Sequence, residues 1–255
     1  MSIKRIVLYI SIIVSVLSVV SCKEDFPTLE DFAEYSKYLE NGDLEGVKKY
    51  YKKFGPRSVE QYGVEGLFMI NPLEAVLHYS YYDIAEFLLK KGANPNAVSP
   101  TMHTPIIFNC IANNNIKGLE LLIKYNVNVA VFTDSDGYST LWYAAATGVE
   151  TLDVIYKKTK DINVKNIKDN ATALFGAVIM GHFDCVKFLV EHEIEVNDID
   201  SIGCSALMYA VNTGRIDICE YLIEHGADIN IVDNEGYNAK WIADELGLQI
   251  KGLTY

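Results

Sequence analysis

Residues 205–230 read SALMYAVNTGRIDICEYLIEHGADIN, and this stretch decides the fold. It opens on Ser205, whose side chain can cap the bare N–H groups of a helix start. Ala210, five residues on, is small enough for a second helix to pack closely. Gly214 follows, and glycine enters left-handed backbone at no steric cost, so it ends the helix. Ile218, Tyr221 and Leu222 are spaced by three and one, which puts them on one face of a second helix. Gly226-Ala227-Asp228 closes that helix. One such helix pair cannot bury its apolar side alone; it needs neighbours of the same kind.

The neighbours are present. The pattern begins earlier at Asn71-Pro72-Leu73, Thr104-Pro105-Ile106, Ser139-Thr140-Leu141 and Thr172-Ala173-Leu174, and again, in part, at Asn238-Ala239-Lys240. The six starts lie 33, 35, 33, 33 and 33 residues apart, a period that marks a solenoid of stacked helix pairs. Each start is Asn, Thr or Ser, so each first helix is expected to carry a side-chain cap. Pro72 and Pro105 then fall at the first helical position, where a missing N–H costs nothing. The small packing residue is Val76, Ala144, Ala177, Ala210 or Ala243, with Asn109 as the departure. Gly148, Gly181 and Gly214 are expected in left-handed backbone. Polar turns precede the helices at Asp134-Ser135-Asp136-Gly137, Lys168-Asp169-Asn170, Asp200-Ser201-Ile202-Gly203 and Asp233-Asn234-Glu235-Gly236. Each should form a short hairpin projecting from the stack, with Asn170 standing in for glycine.

These motifs resemble the ankyrin repeat. Thr104-Pro105-Ile106 and Thr172-Ala173-Leu174 are similar to its helix opening, and Gly92-Ala93-Asn94-Pro95-Asn96 and Gly226-Ala227-Asp228-Ile229-Asn230 to its closing motif. The resemblance covers about Thr28 to Tyr255 and implies an all-α solenoid with short β-hairpin loops. The His that the family carries in its fourth column is absent; the column reads Glu74, Ile107, Trp142, Phe175, Met208 and Trp241. The expected organisation is a degenerate repeat at 28–54, repeats at about 66–98, 99–131, 134–165, 167–198 and 200–231, and a partial repeat at 233–255 with one clear helix and part of a second.

The first residues differ in kind. Lys4 and Arg5 precede an uncharged, mostly Ile, Val and Leu run from Ile6 to Val20, too short to span a bilayer comfortably. Val19-Val20-Ser21-Cys22 resembles the bacterial lipobox, which implies a signal peptide over 1–21, diacylation of Cys22 and a tether over 22–27. By analogy with Gram-negative lipoprotein sorting, the same resemblance implies that Lys23, which is not Asp, favours the outer membrane or cell surface over the inner membrane.

Of the 255 residues half are apolar and the net charge is −12, with no run of five basic residues. Clustered Lys and Arg are what phosphate neutralisation needs, so nucleic acid is not expected as a partner. No nucleophile elbow, phosphate loop, zinc-protease motif or paired C-x-x-C occurs, and no enzyme, cofactor or metal site is expected. His182 and Cys185 could offer two ligands, but both fit structural columns; His192 and His225 fit the last turn of a second helix, near its carbonyls. His78 and His103 have no carboxylate or Cys company. Cys110, Cys185, Cys204 and Cys219 lie in different repeats and are expected as free thiols.

Binding is what remains. In the family the concave face of hairpins and first helices meets a protein partner. Carried over by column, that face comprises Ser135, Asp136, Tyr138, Lys168, Asp169, Ser201, Ile202, Asn234, Glu235 and Tyr237. Tyr143, Tyr209, His78 and Tyr79 are further candidates on first helices. Trp142 and Trp241 are assigned to the core in place of the missing His, with contact anchors as the alternative. The expected function is a membrane-tethered scaffold that binds a protein; the alternative is an inhibitor or immunity-type protein that neutralises a basic toxin or enzyme.

Overall fold

A computed structural model describes residues 27, 29–56, 63–65, 68–133, 137–159 and 161–253. The expected leader with Cys22, and the hairpin residues Ser135 and Asp136, lie outside the described residues. The N-terminal pair is α1 (Leu29–Glu40) and α2 (Leu44–Phe54). A two-stranded antiparallel hairpin follows, β1 (Gly63–Glu65) and β2 (Phe68–Ile70), with Gly63 opposite Ile70. Five pairs come next: α3 (Pro72–His78) and α4 (Tyr82–Lys90), α5 (Ile107–Ala112) and α6 (Ile116–Lys124), α7 (Thr140–Thr147) and α8 (Val149–Tyr156), α9 (Ala173–Met180) and α10 (Phe183–Glu191), α11 (Ala206–Asn212) and α12 (Ile216–Glu224). A single helix, α13 (Ala239–Leu246), ends the series. Each first helix packs on the first helices before and after it, and the second helices do the same in their own layer.

Between the layers runs one continuous core. Its first-helix floor is Leu73, Ile107, Leu141, Leu174 and Leu207, and its second-helix side includes Ile84, Leu119, Leu152, Val186 and Ile218, all essentially without solvent contact. In α13 the floor position is Lys240, so the last helix presents a polar residue where the others need a neighbour. The expected second helix of that unit is not formed through Leu253; instead Ile250 and Leu253 fold back and are buried, and Lys240 Nζ donates to the Leu253 carbonyl at 3.4 Å.

The structure corrects the register of one repeat. Isolated bridges join Val98 to Pro105, Phe132 to Ser139, Ile199 to Ser205 and Val232 to Asn238, so Pro105, not Thr104, occupies the helix-start column. The starts are then 34, 34, 33, 33 and 33 residues apart. Asn109 ceases to be a departure: the small buried column reads Val76, Cys110, Ala144, Ala177, Ala210 and Ala243, each at most 2% exposed. The fourth column correspondingly holds Phe108, not Ile107. Two opposite changes in length account for the spacing. Hairpins closed by Ser99 N–H to Thr104 O, Thr133 to Tyr138 and Asn166 to Ala171 span one residue more than those closed by Asp200 to Cys204 and Asp233 to Tyr237. The turn between α7 and α8 is one residue shorter; Gly148 there has the positive φ that favours glycine (φ 157°, ψ 164°), but outside the left-handed helical well that was expected.

Capping follows the expected side chains at four starts. Asn71 accepts from Leu73 N at 2.9 Å, Ser139 from Trp142 N at 3.1 Å, Ser205 from Met208 N at 3.4 Å and Asn238 from Trp241 N at 2.9 Å. Thr172 does not cap; its hydroxyl is buried without a partner. Thr104 and Pro105 sit before a tight turn in which Phe108 N donates to Pro105 O, and α5 begins only at Ile107.

Neighbouring repeats are tied by a column whose chemistry changes while its role does not. In three repeats the residue after the first-helix turn reaches back one repeat: Tyr81 hydroxyl to Glu40 O at 3.1 Å, Asn115 Nδ2 to Leu77 O at 2.8 Å, and His182 Nε2 paired with Ala146 O at 3.1 Å. A second ladder joins the closing loops, where Asn96, Asn163 and Asn197 accept from the backbone N–H of Asn128, Glu195 and Asp228 at 2.6, 2.8 and 2.7 Å. His192 and His225 meet carbonyls of their own helices, Phe188 O at 2.6 Å and Tyr221 O at 2.8 Å, and each lies against the ring of that same residue.

The closing column after the second helix takes positive φ at Gly92, Asn126, Glu193 and Gly226. Gly92 and Gly226 supply it freely, but Glu193 holds the same position at φ 63°. A side chain there costs on the order of 1–2 kcal/mol, partly offset by the extra unfolded-state entropy of glycine. Glu193→Gly is expected to stabilise the protein by roughly 0.5–1 kcal/mol, seen as a higher midpoint in thermal or urea unfolding; an unchanged or lower midpoint would contradict the strain.

Candidate interaction face

The hairpins do not project singly, as the sequence suggested. Ile167 N donates to Gly137 O at 2.9 Å, Ser201 N to Asp169 O at 2.7 Å, and Asn234 N to Ile202 O at 3.0 Å. Asn234 Nδ2 adds a bond of 3.4 Å to Ser201 O. Backbone groups that would otherwise face water thus join successive tips edge to edge, and the hairpins form a ribbon beside the first helices. Each turn is also held from within. Asp169 Oδ1 accepts from Ala171 N at 3.0 Å, Asp200 Oδ1 from Ile202 N at 3.0 Å and Cys204 N at 2.9 Å, and Asp233 Oδ1 from Glu235 N and Tyr237 N, both at 2.9 Å. Asp200 also accepts the Tyr209 hydroxyl at 2.8 Å; burial, then that bond, pushes the phenol well above its ordinary value.

Of the expected contact residues, Lys168, Ser201, Ile202, Asn234, Glu235 and Tyr237 are exposed along this ribbon. Tyr138 and Asp169 are half-buried, and Asp169 serves its own turn more than it serves the surface. Tyr143 and Tyr209 are half-buried as well, whereas His78 and Tyr79 are exposed in edge-on contact at 5.2 Å.

Two stacked aromatic pairs define the face. Tyr138 stacks on Trp142 at 4.3 Å between centroids, and Tyr237 on Trp241 at 4.0 Å. In each, the Tyr comes from the hairpin and the Trp from the first turn of the following helix. Their surroundings differ. Trp142 also meets Tyr143, and Gly176 of the next repeat leaves it room: a Cβ at Gly176 would come within 2.7 Å of the Trp142 carbonyl and 3.2 Å of its ring. Its indole N–H is buried without a partner. The core assignment thus holds in part for Trp142. It fails for Trp241, which is 45% exposed because no described helix packs beyond α13.

Several exposed apolar residues on or beside this face were missed. Met102 is 62% exposed and shares its hairpin position with Ile202 and Glu235; the misplaced start at Thr104 hid it, although His103, at φ 54° in the glycine column, was the available signal. Ile167 is 66% exposed, and Ile179 and Met180 close α9 in the open. Nothing in periodicity separates such residues from core. Charge is also uneven along the stack. From Asp184 to Leu253 there are fourteen carboxylates against four Lys or Arg, a net of −10 of the chain's −12.

Reactive groups are placed for structure. Cys110, Cys185 and Cys219 are buried, and burial pushes their thiols up to about 12, 11 and 12. No cluster of three His, Cys, Asp or Glu residues suited to a metal ion occurs among the described residues.

A family model for ankyrin repeats in three copies matches residues 73–166 and 160–233. Two ankyrin repeat proteins of Fowlpox virus (strain NVSL) are similar. FPV244 is 32% identical over 118 residues, which is 46% of this chain and 17% of that protein. FPV024 is 24% identical over 101 residues, 39% of this chain and 17% of its own length. The matched part therefore spans about a sixth of each relative.

Gly176→Ala tests the seat of Trp142. Helix propensity alone would reward the change by about 1 kcal/mol. The contact with Trp142 should more than cancel it, leaving a net loss of roughly 1–2 kcal/mol and an altered Trp emission spectrum. A gain in stability with unchanged emission would show that the seat is loose.

Proposed function

The chain belongs to the ankyrin-repeat family, and from that premise we propose that it is a non-enzymatic scaffold that binds a protein through the hairpin ribbon and first helices. The family is generally a non-enzymatic interaction module. The observation that carries the reading is the pair of Tyr–Trp stacks on that face, with Tyr237 and Trp241 open to solvent. Large amphipathic rings held on a firm surface are where binding free energy concentrates. The ribbon supplies the firmness, since from Gly137 onward each hairpin is bonded to the next.

The proposal includes a membrane tether: Cys22 carries acyl chains after loss of residues 1–21, and the protein sits at the outer membrane or cell surface. Residues 4–22 alone support this part, and the relatives are viral. Among the described residues no helix is long and apolar enough to cross a membrane. A second reading, an inhibitor or immunity-type protein that neutralises a basic toxin or enzyme, draws support from the carboxylates beyond Asp184.

Affinity capture from membranes tests both parts. Compared with the unaltered chain, Tyr138→Ala/Tyr237→Ala is expected to lose its specific partner by about tenfold or more, since two anchoring rings are removed. Cys22→Ser is expected to keep the partner but leave the membrane fraction. Equal recovery by the double variant would overturn the face, and unchanged fractionation and mass of Cys22→Ser would overturn the tether.

A further inference from the structure

We infer that the end of this face at Tyr237 and Trp241 receives a Lys- or Arg-bearing segment of the partner protein. The inference rests on the interaction-face reading and narrows it to one chemistry. Three features meet at this end. The first is ring surface. Tyr237 is 36% and Trp241 45% exposed, and they stack at 4.0 Å with an angle of 27° between planes, so the pair is fixed before anything binds. Its cousin at Tyr138 and Trp142 has Gly176 of the next repeat against it and cannot offer the same area.

The second feature is carboxylate placement. Glu235 lies two residues before Tyr237 on the same tip, and Asp244 and Glu245 lie three and four residues after Trp241. That spacing sets them one turn along the helix from the indole, on its side. Asp244 faces Lys240 at 3.7 Å, but Glu235 and Glu245 are exposed and form no ion pair among the described residues. The hairpin carboxylate that could have competed, Asp233, is already taken up by the N–H groups of Glu235 and Tyr237.

The third feature is the wider field. The excess of ten carboxylates between Asp184 and Leu253 draws cations toward this end of the stack and repels acidic chains. A guanidinium or ammonium placed over an indole or phenol ring is attracted by the negative face of the ring. Arginine does this best, because its plane stacks while its edge reaches a carboxylate. A neutral apolar partner would use the rings and leave Glu235 and Glu245 desolvated without compensation. A basic segment satisfies both. Exposed Ile202, whose carbonyl receives Asn234 N at 3.0 Å, adds apolar surface for the aliphatic stems.

The test uses the full chain and a labelled Gly/Ser peptide carrying several Arg residues, followed by fluorescence polarisation. Saturable binding is expected, weakening as salt rises. Trp241→Leu, which alters an exposed side chain, should weaken it about tenfold or more, and Glu235→Gln with Glu245→Gln by a similar factor with a flatter salt dependence. The charge-matched pair Glu191→Gln with Glu224→Gln should leave it within about twofold. Circular dichroism checks that each variant is folded. No binding of the Arg peptide, equal binding to Trp241→Leu, or equal binding of a peptide with Glu in place of Arg would overturn the inference. If the peptide fails while membrane capture still depends on Tyr138 and Tyr237, the face stands and only its chemistry falls.

Discussion

Each helix pair in this chain hides its apolar side only by lending it to the next pair. That shared burial is the constraint from which the rest follows. The small column, Val76, Cys110, Ala144, Ala177, Ala210 and Ala243, lets the helices approach, and the Leu and Ile floor fills the space so made. A single unit has nothing comparable to bury, so its stability is held jointly with its neighbours. The ends therefore need their own solutions. At one end Tyr35 stacks on Tyr50 at 4.1 Å inside the first pair. At the other, Lys240 replaces an apolar floor residue and Ile250 and Leu253 fold over the gap.

Given that constraint, the polar ties can vary. Tyr81, Asn115 and His182 have nothing in common as side chains except a donor at about the right reach, and each finds a carbonyl of the preceding repeat. These ties lie at the turn between helices and do not draw on the fourth column, whose His is missing. A bond between repeats at this turn can be made by several residue types. It also gives His182 a role that needs no metal.

The stack was legible in the sequence because its signals are periodic. Positive φ recurs at Ser80, Asn114, Gly181, Gly214 and Gly247, and glycine or asparagine marks most of these positions. The exact register of the second full repeat was not legible. Thr104-Pro105 looks like a capped start, and only the bridge from Val98 to Pro105 shows that the hairpin is one residue longer. The shortened turn at Gly148 nearly cancels that insertion, so the period hid both. The candidate face can be laid out by column from the sequence, but the exposure of its residues cannot. Tyr138 and Tyr237 look alike in sequence; what separates them is whether a Gly176-like position follows, and that is a property of packing across repeats. The bonds that join hairpin to hairpin were likewise beyond reach, because backbone N–H groups carry no sequence signature.

The proposed function follows the same geometry. A ribbon of bonded tips and a row of first helices leave a firm surface with aromatic rings at two places, and acidity grows toward the end where the rings are open. The central claim, stability shared between neighbours, is tested most directly by hydrogen exchange along the whole chain. Amides of α5 through α10, which have partners on both sides, should exchange slowest, with protection falling toward α1 and toward α13. Slowest exchange at either end, or a uniform rate across all helices, would contradict it.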